Sequence, residues 1–382
     1  MSRVRRSLLV LCGITVLVTG CAGASGGTGA PQPVPPRPAG SSAPSSQTPV
    51  ANSFTVVATG DVLIHPALTD QATEDGGGKR DFTKLFAGVR PVVEKADLAI
   101  CHLEVPLADE DGPFEGYPLF AAPPEVATAL AETGYDTCST ASNHTFDHGA
   151  EGVRTTLDAL DDAGIGHTGS ARTELEAAAP LVRDVAGVKV GQVSFTFGFN
   201  LGTEAPESWM GNVLDVEDVL AAARAARQAG AEVVIASLHW GIEDQHEPTA
   251  EQREIAAELL TDPAVDLIVG HHAHVVQPFD EIDGKWVAYG LGNQVARHEE
   301  PRGTTEEGVM ARFRFTRGPD GWTVDKAEYL PTLVDLGPPI RLRDLTASSD
   351  VDPARRDEAL DRTDGVVSSL GAADEGLTRP GE

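Results

Sequence analysis

Apolar, β-branched runs alternate with segments of helical periodicity from about residue 54 onwards, and this alternation predicts an α/β domain. The expected strands cover residues 54–59, 97–103, 136–140, 188–197, 232–238, 266–269, 286–289, 309–316 and 322–329. The expected helices cover residues 124–132, 150–163, 216–229 and 250–261. In the second of these helices, Val153, Leu157 and Leu160 fall on one face, as expected for a helix that packs against a sheet.

Towards the end of the chain, Asp352 and Pro353 have the pattern of a helix N-cap and first helical residue. They predict one more helix, which continues to about Leu370. Residues 53–372 contain no second linker and no internal repeat, so we expect one domain over that range. We expect residues 373–382 to form a loose tail.

The first twenty residues have the three-part pattern of a bacterial export signal. Three arginines precede an apolar run over residues 8–18, and the small pair Thr19 and Gly20 stands directly before Cys21. This arrangement resembles a lipobox, which predicts cleavage after residue 20, acylation of Cys21 and an extracytoplasmic, lipid-anchored protein. A transmembrane anchor is the alternative, but the run is shorter than the roughly 20 residues that span a bilayer.

Residues 22–52 consist mainly of Gly, Ser, Pro, Ala and Thr, with Arg37 as the only charged residue. A segment of this composition buries too little apolar surface to offset the entropy lost on ordering. We therefore expect residues 21–52 to form a disordered tether between the lipid anchor and the folded domain.

The chain is strongly acidic, with a formal charge of −29. Loss of the signal would remove its three arginines and make the net charge more negative still. This charge excludes nucleic acid and anionic lipid as partners, so membrane contact is expected through the lipid anchor only. Polyglutamate would also be repelled at long range and would need local cations such as bound metal ions.

Cleavage and acylation would leave two free cysteines, Cys101 and Cys138. Export permits a disulfide between them, whereas two buried free thiols are an equally good interpretation.

Five apolar runs end in polar side chains that are costly to bury unless they are paired or bound to metal. Loops at the carboxyl ends of the strands in an open α/β sheet line one crevice, so these endings predict a shared site. The side chains concerned are Asp61, Glu104, Asn143 with His144, His239, and His272 with His274.

The histidines divide into two groups. Alternation along an extended backbone directs His272 and His274 to one side and His271 to the other, so the first two predict a pair of metal ligands. For the isolated histidines we favour satisfied core positions; these are His102, His167, His246 and His298.

The order of these segments resembles that of the CapA or poly-γ-glutamate capsule synthesis family, a branch of the calcineurin-like metallophosphatases. The resemblance covers about residues 54–334 and lies in the segments GDVLIH, CHLE, SNHTFDHG, HWGIE, GHHAHVVQP and YGLGN. It implies two stacked β-sheets flanked by helices, an αββα sandwich of the metallo-dependent phosphatase type, with a metal site at the carboxyl edge.

The resemblance also implies a centre of two divalent metal ions. The residues that match the family's ligands are Asp61, His65 and His274 for the first ion, Glu104 as the bridge, and Asn143, His239 and His272 for the second ion. Carboxylate, amide and imidazole ligands without thiolate favour Mn, Fe or Zn.

By the same matching, His144 would be the catalytic imidazole, with Asp147 and Glu243 as partners that fix ring orientation. The chain departs from the family pattern at two positions. His102 stands where the family usually has Asn, and His148 stands where it usually has an aromatic residue.

Three functions agree with these features. The first is a surface protein of capsule or polyglutamate synthesis that acts beside a membrane polymer synthase or on its product. The second is a general envelope metallophosphoesterase that cleaves phosphate esters. The third is a non-catalytic subunit of a polymer-synthesis complex, which the complete ligand set disfavours. Residues 53–372 contain no G-x-S-x-G elbow and no P-loop, so a serine hydrolase or a nucleotide-driven motor finds no support.

Overall fold

A computed structural model describes residues 51–200, 202–298 and 300–381. The predicted signal, Cys21 and the tether up to residue 50 lie outside the described residues. The last two residues of the predicted tether are already attached to the domain. The Ala51 N–H donates to the Ala186 carbonyl at 3.1 Å, and the Asn52 carbonyl accepts from the Arg317 N–H at 2.9 Å. Within the described part of the chain, no helix combines the length and apolar character needed to cross a membrane.

The larger of two sheets has nine strands within the described ranges. Its strands are β1 (Ser53–Val62), β2 (Leu98–Leu103), β3 (Thr137–Ser139), β4 (Gly166–Thr168), β11 (Asn293–Val295), β12 (Glu307–Gly318), β13 (Gly321–Asp335), β14 (Arg341–Asp344) and β15 (Leu377–Thr378). The main order is β14–β13–β12–β1–β2–β3–β4, with β11 beside β1 and β15 beside β13. Strands β1 to β4 run parallel, so their carboxyl ends meet at one edge.

The smaller sheet has six strands in the order β5–β6–β7–β8–β10–β9. Its strands are β5 (Leu181–Val185), β6 (Val188–Thr196), β7 (Val233–His239), β8 (Leu267–His271), β9 (Phe279–Ile282) and β10 (Lys285–Ala288). Strands β6, β7, β8 and β10 are parallel to one another. This sheet therefore also has one edge where polar strand ends collect.

Helices cover the outer faces of both sheets. They are α1 (Pro66–Asp75), α2 (Thr83–Phe86), α3 (Arg90–Val93), α4 (Glu125–Thr133), α5 (Gly149–Ala163), α6 (Glu174–Ala177), α7 (Val216–Gln228), α8 (Ala250–Thr261) and α9 (Pro353–Val367). The ends of α8 and α9 follow from local sequence. Thr249 and Gln252 form a capping box at the start of α8, and the Asp352 side chain accepts from the Arg355 N–H at the start of α9.

Three apolar cores lie between the successive layers of helices and sheets. Between the sheets, Phe54 and Ile100 of the larger sheet pack with Ile235 of the smaller one. Outside the larger sheet, a second core joins it to α1, α2, α4 and α5, and outside the smaller sheet a third core joins it to α7 and α8. The molecule is thus a mixed α/β sandwich of two sheets between two helical layers, as the family resemblance implies.

All nine predicted strands and all five predicted helices are present, with ends that differ by a few residues. The sequence pattern missed β4, β5, β9, β11, β14, β15 and the helices α1, α2, α3 and α6. Most of these elements have five or fewer residues, which is too short for a periodic pattern to show.

The prediction of a loose tail over residues 373–382 needs correction. Leu377 and Thr378 form β15, which pairs in parallel with Ala327 and Glu328 of β13, and the Leu377 side chain is buried in the core between the sheets. The pairing satisfies backbone hydrogen-bonding groups of β13 and covers apolar surface. A two-residue strand is too short for its sequence to predict such a pairing.

The two cysteines form a disulfide. Cys101 of β2 and Cys138 of β3 are direct partners in the parallel register of these strands, and both are fully buried. The register decides between the two interpretations that the sequence left open.

Candidate metal centre

Six of the seven predicted ligands lie where the carboxyl ends of both sheets face each other. Asp61 lies at the end of β1, Glu104 directly follows β2, and Asn143 follows β3. From the smaller sheet, His239 ends β7 and the segment after β8 contributes His272 and His274. All six side chains are at least nine-tenths buried.

Two glycines allow the backbones to come this close. A Cβ at Gly60, just before Asp61, would lie 2.0 Å from the Gly292 carbonyl oxygen, and one at Gly270 would lie 1.9 Å from the Tyr289 carbonyl oxygen. Any side chain at either position would therefore push apart the segments that carry the ligands.

Asp61 connects the two sheets. Its Oδ1 lies 3.2 Å from His271 Nδ1, its Oδ2 lies 3.2 Å from His274 Nδ1, and the His272 N–H donates to Oδ2 at 3.1 Å. Burial alone would raise the pKa of this carboxyl, but the contacts with His271 and His274 hold it well below its usual range. Asp61 is therefore ionised and available as a ligand.

The Glu104 carboxylate is buried without a hydrogen-bond partner in the described part of the chain. Neither carboxylate oxygen accepts a hydrogen bond from any described residue, and the nearest cationic group is His274, whose Nε2 lies 3.6 Å from Oε1. Burial raises the pKa of Glu104 to about 7. Burial would lower the pKa of His274, but Glu104 and Asp61 raise it to about 10. Two buried, unpartnered carboxylate oxygens are expensive to maintain unless a cation binds there.

Asn143, His239 and His272 form a second group of neighbouring side chains. The Asn143 Nδ2 donates to Asn200 Oδ1 at 3.1 Å, which leaves its Oδ1 facing His239 Nε2 at 2.9 Å. The His272 ring lies 4.7 Å from the His239 ring, and the buried Nδ1 of His272 has no hydrogen-bond partner among the described residues. Burial and the neighbouring His274 lower the pKa of His272 to about 4, so the imidazole is neutral.

These unpartnered atoms suit a divalent cation. Close groups of ligand atoms are formed by Asp61, Glu104 and His274, and by Glu243, His272 and His274, each within 4.8 Å. The donors are carboxylate oxygens and imidazole nitrogens without thiolate, which is the preference of Mn, Fe and Zn. The residues present therefore fit a metal site.

His144 and Asp147 lie at the rim of this site. His144 Nδ1 lies 2.6 Å from Asp147 Oδ2, and the same oxygen accepts from the Phe120 N–H at 2.8 Å. Because the carboxylate can only accept, His144 carries its proton on Nδ1 and presents Nε2 as the second ring nitrogen.

His65 is placed beside the metal-ligand groups but not within them. Its ring lies 4.7 Å from His298 and 5.4 Å from Phe120, and its Nδ1 lies 3.2 Å from both the Leu63 carbonyl and the Arg297 N–H. Burial and the neighbouring His298 lower its pKa to about 3. Among the described residues, the close groups of carboxylate and imidazole atoms do not include His65.

A cleft of about 660 Å³ opens beside the centre, large enough for a small ligand or one end of a polymer. Phe120 and the exposed Tyr117 lie on one side, and Glu243 and Arg302 are also in its wall. Its remaining lining residues are Leu63, His65, Pro66, Gly116, His144, His274, His298, Glu300 and Pro301.

Two histidines depart from their predicted positions. The expectation that His271 points away from the site is wrong, because β8 ends at His271, while His272 and His274 have φ values of 88° and 56°. Strand alternation does not apply to a backbone in the left-handed region. His298 lines the cleft with an unpartnered Nε2 among the described atoms. His102, in contrast, is fully buried with both ring nitrogens hydrogen-bonded, as predicted, and it stacks on His271 at 4.0 Å.

The other predicted positions are simpler. His246 is satisfied by the Val276 carbonyl at 2.7 Å, and His167 lies 3.2 Å from Asp161. His148 lies 3.6 Å from Glu115, outside the metal-ligand groups. These three histidines are not part of the centre.

Two asparagines were not assigned a role from the sequence. Asn200 orients Asn143, and Asn293 accepts from His274 Nδ1 at 3.0 Å while its own Nδ2 donates to the Thr305 carbonyl at 2.9 Å. This leaves His274 Nε2 facing Glu104. Asn293 ends YGLGN, one of the segments that resemble the capsule synthesis family, so the sequence offered a signal for it. Asn200 lies in none of these segments, so the sequence offered no signal for it.

Comparison with known proteins identifies the family. The family described as "Bacterial capsule synthesis protein PGA_cap" matches residues 55–298, more than half of the chain. "Capsule biosynthesis protein CapA" of Bacillus anthracis is 30% identical over 221 residues, which cover 55% of this chain and 53% of that protein. "PGA biosynthesis protein CapA" of Bacillus subtilis (strain 168) is 26% identical over 203 residues, or 52% and 51% of the two chains. The chain thus spans about half the length of these relatives.

Solved structures with similar coordinates include the calcineurin-like phosphoesterase YfkN from Bacillus subtilis, with 16% identity, a TM-score of 0.44 and coverage of 82% of this chain and 96% of that one. A 5'-nucleotidase precursor from Thermus thermophilus has 15% identity and a TM-score of 0.46 over 81% of this chain and 58% of that one. Family membership does not rest on these looser likenesses. The match over residues 55–298 shows that this chain belongs to the bacterial capsule synthesis protein PGA_cap family.

Proposed function

We propose that this chain is a lipid-anchored surface protein of capsule or polyglutamate synthesis that holds two divalent metal ions and cleaves a phosphate ester. The observation that carries the proposal is the position of Glu104. Both of its oxygens lack a hydrogen-bond partner among the described residues, and it forms a close group of ligand atoms with Asp61 and His274. A carboxylate with both oxygens unpartnered would bridge an ion in that group to a second ion held by Asn143, His239 and His272.

The ions, when bound, would supply an activated water and would neutralise the phosphoryl oxygens. The protein's own side chains would supply the remaining functions. Asp61, Glu104, Asn143 and the three ligand histidines would hold the ions. His144, when protonated on both ring nitrogens, would give its Nε2 proton to the leaving oxygen as the phosphorus–oxygen bond breaks and would keep the Nδ1 proton on Asp147, which would hold its ring in position.

Two further observations support the location outside the cytoplasm. The lipobox-like end of the signal at Cys21 predicts an anchor, and the buried disulfide between Cys101 and Cys138 is typical of oxidising compartments. Related proteins carry names of capsule and polyglutamate synthesis, so a membrane polymer synthase is the partner that we propose.

The test uses the full chain purified in detergent. Metal content is measured, and the loaded protein is assayed on phosphomonoesters and phosphodiesters. We expect His144→Ala to retain both ions and to lose about 100- to 10,000-fold in turnover, because general acid catalysis contributes about that much. His246→Ala is the matched control, since His246 is satisfied away from the centre, and it should change neither quantity.

Other outcomes separate the alternatives. A wild-type protein that is loaded with metal but inactive on every ester would favour a non-catalytic subunit. Ester cleavage by a chain whose deletion leaves the capsule unchanged would favour a general envelope phosphoesterase. Absence of label after growth with a radioactive fatty acid would contradict the anchor at Cys21.

A further inference from the structure

His102 belongs to a continuous line of buried hydrogen bonds that ends at a proposed metal ligand. Its Nε2 lies 3.0 Å from His239 Nδ1, and its Nδ1 lies 2.8 Å from the Ser139 hydroxyl. Ser139 in turn donates to the Cys101 carbonyl at 3.3 Å. Building on the dinuclear centre proposed above, we infer that His102 is a positioning residue that holds His239 with its Nε2 directed towards the second ion.

The line has an oxygen that can only accept at each end, the Cys101 carbonyl and Asn143 Oδ1, so its direction depends on what His239 Nε2 faces. An ion at His239 Nε2 would need the lone pair of that nitrogen, so the His239 proton would lie on Nδ1 and be donated to His102 Nε2. His102 would then donate from Nδ1 to the Ser139 hydroxyl, which donates to the Cys101 carbonyl. Without an ion, Asn143 Oδ1 at 2.9 Å would accept from His239 Nε2–H, and the line would run in the other direction.

The charge state required for this arrangement is also the one that burial favours. His102 and His239 are both fully buried. Burial, together with the neighbouring His271, lowers the pKa of His102 well below its usual range, and burial with the neighbouring His272 does the same for His239. Both rings are therefore neutral, so each has one donor and one acceptor.

The competing interpretation is that His102 is itself a ligand. Ligand atoms of Asp61, His102 and His271 lie within 4.8 Å of one another. However, the rings of His102 and His271 are stacked, with centroids 4.0 Å apart and planes 15° from parallel. An imidazole lone pair lies in the plane of its ring, so these two planes do not meet at one ion about 2.1 Å from each nitrogen. Both nitrogens of His102 are also already occupied by hydrogen bonds.

The inference is tested by titrating Mn²⁺ into the metal-stripped full chain by calorimetry. Replacement of His102 by Leu removes the acceptor and should weaken the binding of one ion by about 10- to 100-fold. Replacement by Gln keeps a carbonyl oxygen at about the reach of Nε2 and should restore binding to within about threefold of wild type. Ser139→Ala leaves His102 in place without its acceptor and should give an intermediate loss.

Two controls separate positioning from packing. His246→Gln changes a histidine outside the centre and should bind Mn²⁺ like wild type. Thermal unfolding of all variants without metal shows whether a loss of affinity merely follows a loss of stability. In addition, nitrogen NMR of the Zn²⁺-loaded wild type should show His239 protonated at Nδ1 and metal-bound at Nε2.

Three results would overturn the inference. Equal Mn²⁺ affinity in wild type, His102→Leu and Ser139→Ala would remove the positioning role while leaving the dinuclear centre intact. A third ion in wild type that disappears in His102→Leu would make His102 a ligand. A wild-type chain that binds no ion would overturn the proposed function together with this inference.

Discussion

The two sheets contribute different chemistry to the same centre. The larger sheet supplies oxygen donors, Asp61, Glu104 and Asn143, from the ends of three adjacent parallel strands. The smaller sheet supplies imidazoles, His239 at the end of one strand and His272 and His274 after the next. Without the smaller sheet, the buried carboxylates of Asp61 and Glu104 would repel each other. Without the larger sheet, neutral imidazoles would offer no negative charge to a cation. The centre therefore depends on how the sheets are stacked.

The two acids of the larger sheet show what contact with the smaller sheet does. Asp61 touches His271 and His274, and these contacts hold its pKa well below the usual range. Glu104 accepts no hydrogen bond from the described residues, its contact with His274 is longer at 3.6 Å, and burial raises its pKa to about 7. The difference indicates that the protein stabilises the charged form of Asp61 more than that of Glu104, which a bound cation would stabilise.

The largest effect that we expect is loss of both ions on removal of Glu104. Glu104→Ala should abolish binding of two ions, because the bridge that we propose would serve both positions, whereas His272→Ala should retain one ion. Each loss should exceed the 10- to 100-fold that partners outside the ligand set cost. Metal analysis after dialysis against a weak chelator measures both. One ion remaining in Glu104→Ala and none in His272→Ala would reverse the roles of the two sheets.

A smaller effect is expected from the disulfide of the larger sheet. Replacing Cys101 and Cys138 by Ala opens a loop of 37 residues and should lower the free energy of unfolding by about 2–4 kcal/mol. Ser194 and Ser237 are the matched control, because they are buried direct partners on β6 and β7 of the smaller sheet. Their replacement by Ala should cost about 1 kcal/mol or less. Equal losses in urea unfolding would show that the cross-link adds nothing.

An effect of about the same size is expected on the pH dependence of the metal-free domain. Imidazoles with lowered pKa values, His272 and His298 at about 4 and His65 at about 3, must be protonated on acidification, so their contribution to stability is lost as pH falls below about 6.5. Glu104 acts in the opposite direction. Its folded pKa of about 7 lies above the usual 4.5, so its contribution is lost as pH rises between these values.

Glu104→Gln should therefore lose stability more steeply on acidification than wild type. Relative to wild type, its stability should rise by about 3 kcal/mol between pH 4.5 and 7.5, since one pKa unit corresponds to about 1.4 kcal/mol. Urea unfolding with a chelator present measures the difference. A difference that does not change with pH would show that Glu104 is not held in a protonated state by burial.

Much of the centre could be predicted from the sequence because a parallel strand takes its last residue to a shared edge. Asp61, Glu104, Asn143 and His239 were found in this way, and the structure brings them together. Strand alternation failed one residue further on. Past the end of β8 the backbone enters the left-handed region at His272 and His274, and alternation then assigned His271 to the wrong side.

The sequence by itself determined the alternation of strands and helices, the capped start of α9 and the polar ends of the strands, since each depends on neighbouring residues. Only the tertiary structure decided that Cys101 pairs with Cys138, that Leu377 joins a sheet and that His102 contacts His239. These outcomes depend on register and on the stacking of two sheets. The contact between His102 and His239, for example, joins residues that are 137 positions apart. No local pattern encodes such distances, because they result from packing the whole domain.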